Sequence, residues 1–217
     1  MKADNYHFSY LLTTLVFMLL LHPFVFERPF ATEAINISFS ITLLTAIYAV
    51  AGQRKELIIA GILGTATLLL HWLSYFDPQL LSPSIAVFSA ILFFACCVCL
   101  LLINFIHRTR ISADTLCGAV AIYLMIGLLW SFVYLLIAHQ NPAAFSISFA
   151  NAKQFTDFIY FSFVTLTTLG YGDISPISPP ARTLAYIEAI LGQIYLAIIV
   201  AKFIGLHLSG GPTAKKR

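Results

Sequence analysis

A chain of 217 residues that is 60% hydrophobic and 10% charged has too little polar surface for a water-soluble globule, and its apolar residues fall in long runs of the kind that span membranes. The net charge of +3 comes from basic residues scattered singly or in twos and threes between those runs, so no basic face exists to track phosphates and nucleic acid is excluded as a partner. Cys96, Cys97, Cys99 and Cys117 stand in no paired metal-ligand spacing with histidine and read as small buried hydrophobes.

Taken in chain order, predominantly apolar runs predict helices at Phe8–Phe26, Ala34–Ala51, Leu57–Phe76, Ser84–Ile106, Leu116–Ala138 and Ala181–Leu206. Each has at least about 18 residues, close to the ~20 that cross a ~30 Å hydrocarbon core. The fold class is therefore an all-α membrane protein with six transmembrane helices. The first run follows Lys2 as a signal peptide would, but no small-residue cleavage site follows it and the run continues into His22-Pro23, so it is expected to remain as a true span.

Lysines and arginines in the loops set the orientation. With a cytoplasmic N-terminus, the inside collects Lys2, Arg54, Lys55, Arg108, Arg110, Lys202, Lys215, Lys216 and Arg217, against Arg28, Lys153 and Arg182 outside. Both termini are then cytoplasmic, the protein is multi-pass in the cell membrane (the inner membrane in a bacterium), and the connection from His139 to Pro180 is external.

That connection holds the most informative stretch. After Gln154 the chain reads FTDFIYFSFVTLTT, with Thr156 expected as N-cap and Asp157 in the favourable first turn, and then LGYGD. The apolar helix is too short to cross, so a re-entrant helix returning as an extended stretch is expected. Non-helical backbone at membrane depth survives only where protein buries it or where it lines a water-filled path. An ordinary external glycine turn would leave the apolar FIYFSFVTL unexplained.

Thr168-Leu169-Gly170-Tyr171-Gly172-Asp173 resembles the selectivity filter of the tetrameric potassium channels, within the pore-loop cation channel superfamily, with leucine in place of the usual valine. The layout is similar to that of short bacterial six-span potassium channels, and ISPISPPAR after the filter is similar to their turn into the inner helix. The resemblance covers roughly Ser112 to Leu208. It implies a homotetramer with the re-entrant pore helix and filter between the fifth and sixth spans, and potassium ions as the permeant species held by the carbonyls of Thr168, Leu169, Gly170 and Tyr171. Gly170 and Gly172 would supply the alternating dihedrals that turn successive carbonyls to one axis, and Tyr171 would pack outward against the pore helix. Thr167 and Asp173 flank the filter as its support. Val164 stands where some family members carry a carboxylate that pairs with the aspartate after the filter.

The resemblance also makes Gly192 a hinge candidate in the inner helix, although a small residue for close helix packing is an equal reading. Helical phase sets Lys202 opposite Gln193 and places Glu188 near Lys202 in angle. If Gln193 faces the cavity, then Leu196 and Val200 do as well. Glu188 is then expected to pack against the fifth span or pore helix, and Lys202 to snorkel to the cytoplasmic surface. His22 and His71 are expected as helix-to-helix hydrogen bonders in preference to ligands or proton sensors.

The organisation expected is a four-helix unit over residues 1–107, a cytoplasmic linker over 108–115, a pore unit over 116–208 and a basic tail over 209–217. The fourth helix sits where the voltage-gated channels it resembles carry arginines and has none; Arg108 and Arg110 follow it, as positive-inside anchors or in a gating role. About nine residues follow the sixth span, so no cytoplasmic nucleotide- or calcium-binding domain is expected. With no nucleophile and base pairing, an enzyme is not expected, nor any cofactor. The functional reading is passive, potassium-selective conduction, leak-like or gated by something other than voltage, with membrane lipids and further copies of itself as partners. A nonconducting membrane sensor or regulatory subunit on the same fold, and a weakly selective cation channel, are the alternatives.

Overall fold

The computed structural model describes residues 7–25, 30–51, 54–108, 112–147 and 154–209. Among these, the regular elements are all helices: α1 His7–Val25, α2 Ala31–Val50, α3 Arg54–Phe76, α4 Pro83–His107, α5 Ala113–Gln140, α6 Gln154–Leu166 and α7 Pro179–Ser209, with a 3-10 turn at Pro142–Ala144. Five helical stretches are long and apolar enough to cross a membrane, namely Thr32–Val50, Arg54–Phe76, Pro83–His107, Ala113–Gln140 and Pro179–Leu208. The apolar stretches Phe8–Leu21 and Phe155–Leu166 are shorter. The protein is an all-helical membrane protein over its described residues.

Local chemistry sets the helix ends. α4 and α7 begin on Pro83 and Pro179, where a missing backbone N–H costs nothing. The Ser178 hydroxyl accepts from the amide of Ala181 at 3.4 Å. Ser112 caps α5 by accepting from the amide of Thr115 at 3.2 Å, which starts that helix at Ala113 and not at Leu116. α6 begins at Gln154, two residues ahead of the expected cap, so Thr156 and Asp157 both lie within its first turn. Asp77 turns the chain between α3 and α4 by accepting from the amides of Gln79 and Leu80 at 3.1 and 3.0 Å.

α5 is the central helix, packed against α1, α4, α6 and α7. An aromatic stack carries the four-helix unit onto it and onto α6: Phe39, Phe94 and Phe132 lie ring to ring, and Phe132 stacks on Phe155 at 4.8 Å. Further along, Tyr134 meets Phe161 at 4.9 Å and Phe145 meets Phe158 at 4.9 Å, which holds α6 against α5 along its length. Polar side chains pair between helices: the His71 ring with the Asn36 carboxamide at 3.1 Å, Trp72 with the Ser40 hydroxyl at 3.1 Å. His71 thus forms the interhelical bond expected of it, and the side chain of His22 lies outside the described residues.

Three helix ends, those of α1, α4 and α5, meet at one end of the bundle, where α7 joins them through Lys202. Asp114, at the start of α5, accepts from the amides of Phe8 and Ser9 at 3.0 and 3.3 Å and so caps α1 as well. Arg108 lies 3.8 Å from the same carboxylate and stands over the Phe8 ring at 4.8 Å. Lys202 reaches across from α7 and donates to the carbonyls of Phe105 and Ile106, the latter at 3.0 Å, with its ammonium 4.2 Å from the centroid of the Phe105 ring. Lys202, expected to snorkel to the cytoplasmic surface, is half-buried and its ammonium is held by carbonyls of α4. The Ile106 carbonyl, and that of Phe105, which also takes the Arg108 amide at 3.2 Å, lie in the last turn of α4 at its negative dipole end, where an ammonium is favourable.

Candidate ion pathway

α6 and the segment after it form a hairpin of helix and extended chain. Its 13 residues give α6 a length of about 20 Å, well short of a hydrocarbon core. The chain after Leu166 then runs back along the helix. The amides of Leu169 and Gly170 donate to the carbonyl of Val164 at 2.9 and 3.3 Å, the Tyr171 ring stacks on Tyr160 at 6.5 Å, and the Tyr160 hydroxyl donates to Asp173 at 2.7 Å. The start of the segment thus meets Val164 near the end of α6, and its later residues meet Tyr160 farther back. Beyond Asp173 the chain reaches the connection that precedes α6: the Ser146 amide donates to the carbonyl of Ser175 at 2.9 Å, and that of Ile177 to Ala144 at 2.7 Å. This clamp closes the loop where it begins and ends.

The backbone within the segment alternates. Thr168, Gly170 and Gly172 have φ of 60°, 61° and 80°, while Leu169 and Tyr171 between them have negative φ. Gly170 and Gly172 adopt this at little steric cost. Thr168 does not, because a β-branched residue in the left-handed region carries strain of about 1–3 kcal/mol. Its hydroxyl donates to the carbonyl of Thr167 at 2.6 Å.

The direction of the carbonyls follows from the amide bonds. In a planar trans peptide the C=O of one residue points opposite the N–H of the next. The Leu169 and Gly170 amides point at Val164 on α6, so the carbonyls of Thr168 and Leu169 point away from it. The Thr168 amide donates to Thr165 at 2.9 Å and turns the Thr167 carbonyl the same way. These carbonyls thus face away from α6, in a segment whose side chains Leu169 and Tyr171 are 56% and 67% exposed.

Most of the side chains singled out from the sequence lie on this unit. Val164 acts through its backbone carbonyl, which receives two amides, a role its side chain does not reveal. Thr167 is tied by its hydroxyl to the carbonyl of Phe163 at 2.6 Å. Asp173 is exposed and is held below the usual aspartate range, chiefly by the hydrogen bond from Tyr160. Tyr171 lies against α6 through Tyr160, the partner that sequence reasoning missed. Nothing in the sequence marked Tyr160 except its place, 13 residues ahead of Asp173 on an expected helix.

α7 presents two faces. Glu188, Gly192, Tyr195 and Ile199 form a buried stripe at helical spacing, whereas Gln193, Leu196 and Val200 are exposed on the protomer. The Tyr195 hydroxyl donates to the carbonyl of Ala119 at 2.6 Å and ties α7 to α5. A β-carbon on Gly192 would lie 2.4 Å from the carbonyl oxygen of Leu166, the last residue of α6. Close approach of the two helices therefore gives this glycine a packing reason. Glu188 is fully buried, with the Tyr134 hydroxyl at 2.5 Å from one carboxyl oxygen and the Ser162 hydroxyl at 2.5 Å from the other. Its expected packing against the fifth span and the pore helix is what these contacts describe.

A protein-family model for ion channels matches residues 122–206, from the middle of α5 to the last turns of α7. The chain is 33% identical over 100 residues to Protein LctB of Bacillus caldotenax, an alignment covering 44% of this chain and 74% of that protein. Against Protein LctB of Geobacillus stearothermophilus it is 31% identical with the same coverage. It is also 45% identical over 49 residues to the Inward rectifier potassium channel Kirbac3.1 of Paramagnetospirillum magnetotacticum, which amounts to 23% of this chain and 17% of that one. No solved structure gives a significant match.

Proposed function

Because the chain belongs to the pore-loop potassium channel family, we propose that four copies of it surround one axis and conduct potassium passively and selectively across the cell membrane. The observation that carries this reading is the alternation of left-handed backbone at Thr168, Gly170 and Gly172 with the amides of Leu169 and Gly170 pinned to Val164. Such a backbone offers successive carbonyls to a single line. Carbonyls of Thr168, Leu169, Gly170 and Tyr171, repeated from four chains, form stacked rings that replace the hydration shell of potassium.

Each chain supplies one such segment, so the rings need further copies. The surface supports that assembly. Leu169, Tyr171, Tyr186, Ile190 and Ile194 are all exposed on the protomer, and neighbouring copies would cover them around the axis. In this reading α1 to α5 and α7 are six spans, α6 is re-entrant, and both termini are cytoplasmic. Residues 1–107 form the collar and residues 116–208 the pore. The name of the relative Kirbac3.1 supports potassium as the permeant ion.

Conduction is leak-like in this account. α4 carries no lysine or arginine within Pro83–His107, so the element at the voltage-sensor position has no gating charge to move. The decisive experiment is potassium uptake into liposomes holding the purified protein, with sodium as competitor and barium as blocker, alongside a mass measurement of the oligomer. Barium-sensitive uptake that discriminates against sodium is the expected result. A tetramer that passes neither ion would make the chain a nonconducting membrane subunit instead, and uptake without discrimination would make it a general cation channel.

A further inference from the structure

We propose that Glu188 is held as the neutral carboxylic acid, and that its proton completes a hydrogen-bond chain fixing α6 behind the filter, which makes Glu188 a positioning residue for conduction. The inference rests on the pore reading above for its functional half, and on proton counting for its chemical half.

Two short contacts meet at this carboxyl group, and a third branches from one of its partners. The Tyr134 hydroxyl lies 2.5 Å from Oε2, the Ser162 hydroxyl lies 2.5 Å from Oε1, and the same Ser162 oxygen lies 2.7 Å from the carbonyl of Gly127. Each hydroxyl brings one proton, so two protons face three contacts. If the carboxyl were ionised, Ser162 could donate to Glu188 or to Gly127 but not to both. The remaining pair would then be two oxygens in contact with only lone pairs between them. A proton on Oε1 removes the conflict: Tyr134 donates to Oε2, Glu188 donates to Ser162, and Ser162 donates to Gly127. Every group in the chain is then satisfied.

The surroundings agree with a neutral group. Glu188 is fully buried, and burying a carboxylate without a counter-charge is costly. Tyr134 from α5 is the titratable group bonded to it, and from α6 it receives only the Ser162 hydroxyl. Arg108 pairs with Asp114 at the end of the bundle where Lys202 meets α4. Lys202 lies 14 positions along α7 from Glu188, about 21 Å by helical rise. No cation is bonded to Glu188 among the described residues.

The position gives the proton its consequence. Glu188 and Gly192 are four residues apart on one stripe of α7, and their partners Ser162 and Leu166 are four residues apart on α6. α7 therefore grips the last turn of α6 at both ends, immediately ahead of Thr167. Gly127, the far end of the chain, ties the same turn to α5. Losing the proton unfastens α6 from one of its two supports at the point where the filter begins.

Substitution and infrared spectroscopy together test this. Glutamine reproduces the neutral acid, since its carbonyl accepts from Tyr134 and its amide donates to Ser162; valine removes both bonds. In vesicles, Glu188→Val and Ser162→Ala are expected to lower the potassium-to-sodium permeability ratio on the order of tenfold, and Glu188→Gln to restore what Glu188→Val loses. At neutral pH, the infrared difference spectrum of wild type minus Glu188→Gln is expected to show the C=O stretch of a protonated carboxylic acid. Carboxylate bands in its place would overturn the proposal, and so would a glutamine variant as impaired as the valine one. The infrared measurement needs no conduction. Wild-type vesicles that pass no potassium would thus count against the pore reading while the band still decides the proton.

Discussion

Replacing Gly192 with alanine tests whether this glycine is a spacer or a hinge. The added β-carbon would stand 2.4 Å from the carbonyl oxygen of Leu166 and 2.9 Å from its Cδ1. Real β-carbons stay at least 3.0 Å from such neighbours, so the carbonyl oxygen must retreat to that distance or beyond. A methyl-bearing side chain could rotate away, but a backbone oxygen at the end of α6 can move only if the helix moves. Overpacking of this kind costs about 1–3 kcal/mol, and a backbone clash belongs at the upper end. Alanine returns about 1 kcal/mol through its better helix propensity. The net loss is then about 2 kcal/mol per chain, repeated in each copy of an assembly.

Gly61 supplies the control. It lies inside α3, and a β-carbon there would meet nothing within 4 Å. Gly61→Ala is expected to gain about 1 kcal/mol through propensity alone, so the two variants should differ by about 3 kcal/mol per chain with opposite signs. Denaturation of the detergent-solubilised protein, followed by the fluorescence of Trp72 and Trp130, reads this difference. Potassium-to-sodium permeability reads the displacement of α6 into the filter. If Gly192→Ala proves as stable as Gly61→Ala and only its open probability changes, the packing argument fails and the hinge stands.

Gly172→Asp places a side chain where φ is 80°, and reversal potentials between potassium and sodium should collapse toward zero; unchanged values would remove the segment from the pathway. Tyr160→Phe deletes the chief interaction that lowers the Asp173 titration. In the wild type that bond stabilises the fold at neutral pH and persists through the usual aspartate range, to be lost only in stronger acid, so the acid-induced change in outer-mouth conductance should move to higher pH in the variant. Single cysteines at Gln193, Leu196 and Val200 should be blocked by a cytoplasmic thiol reagent, whereas cysteines at the buried Glu188 and the carbonyl-bound Lys202 should not; the reverse pattern would mean that α7 is turned the other way. Moving one charge across 100 mV is worth about 2.3 kcal/mol, and α4 has none to move, so the conductance–voltage curve should be shallow and vary with the permeant ion; a steep slope insensitive to that ion would count against it.

Much of this was legible in the sequence because it depends on properties of single segments. Apolar run length marked the long helices, and GYG marked the two positions that need left-handed backbone. Helical phase alone put Glu188 off the Gln193 face. What stayed hidden depends on pairs of segments. Thr168 shares the left-handed conformation, yet threonine is the last residue one would choose for it; the hydrogen bonds of its neighbours to Val164 and Thr165 enforce it. Tyr160 matters only because the chain doubles back to bring Asp173 beside it. The bridge between Ala144–Ser146 and Ser175–Ser178 joins stretches some 30 residues apart, and neither has a strand-like pattern. Helix starts missed by two or three residues, at Ala113 and Gln154, since capping there is decided by geometry that several nearby polar residues could have supplied.

Glu188 and Lys202, both well inside α7, show how this bundle treats acidic and basic groups. Neither is answered by an opposite charge. Lys202 is met by the carbonyl end of α4 and the face of Phe105, and Glu188 by two hydroxyls. Dipoles fixed in neighbouring helices serve as partners, so each group reports on the placement of another helix: Lys202 on α4, Glu188 on α5 and α6. A salt bridge would tolerate sliding, because attraction between charges falls off slowly with distance. A hydrogen bond does not, since its strength fails within a few tenths of an ångström and beyond a modest angle. α7 is thereby registered near one end to α4 and farther along to α5 and the last turn of α6, and both registrations run through the buried stripe that faces away from Gln193.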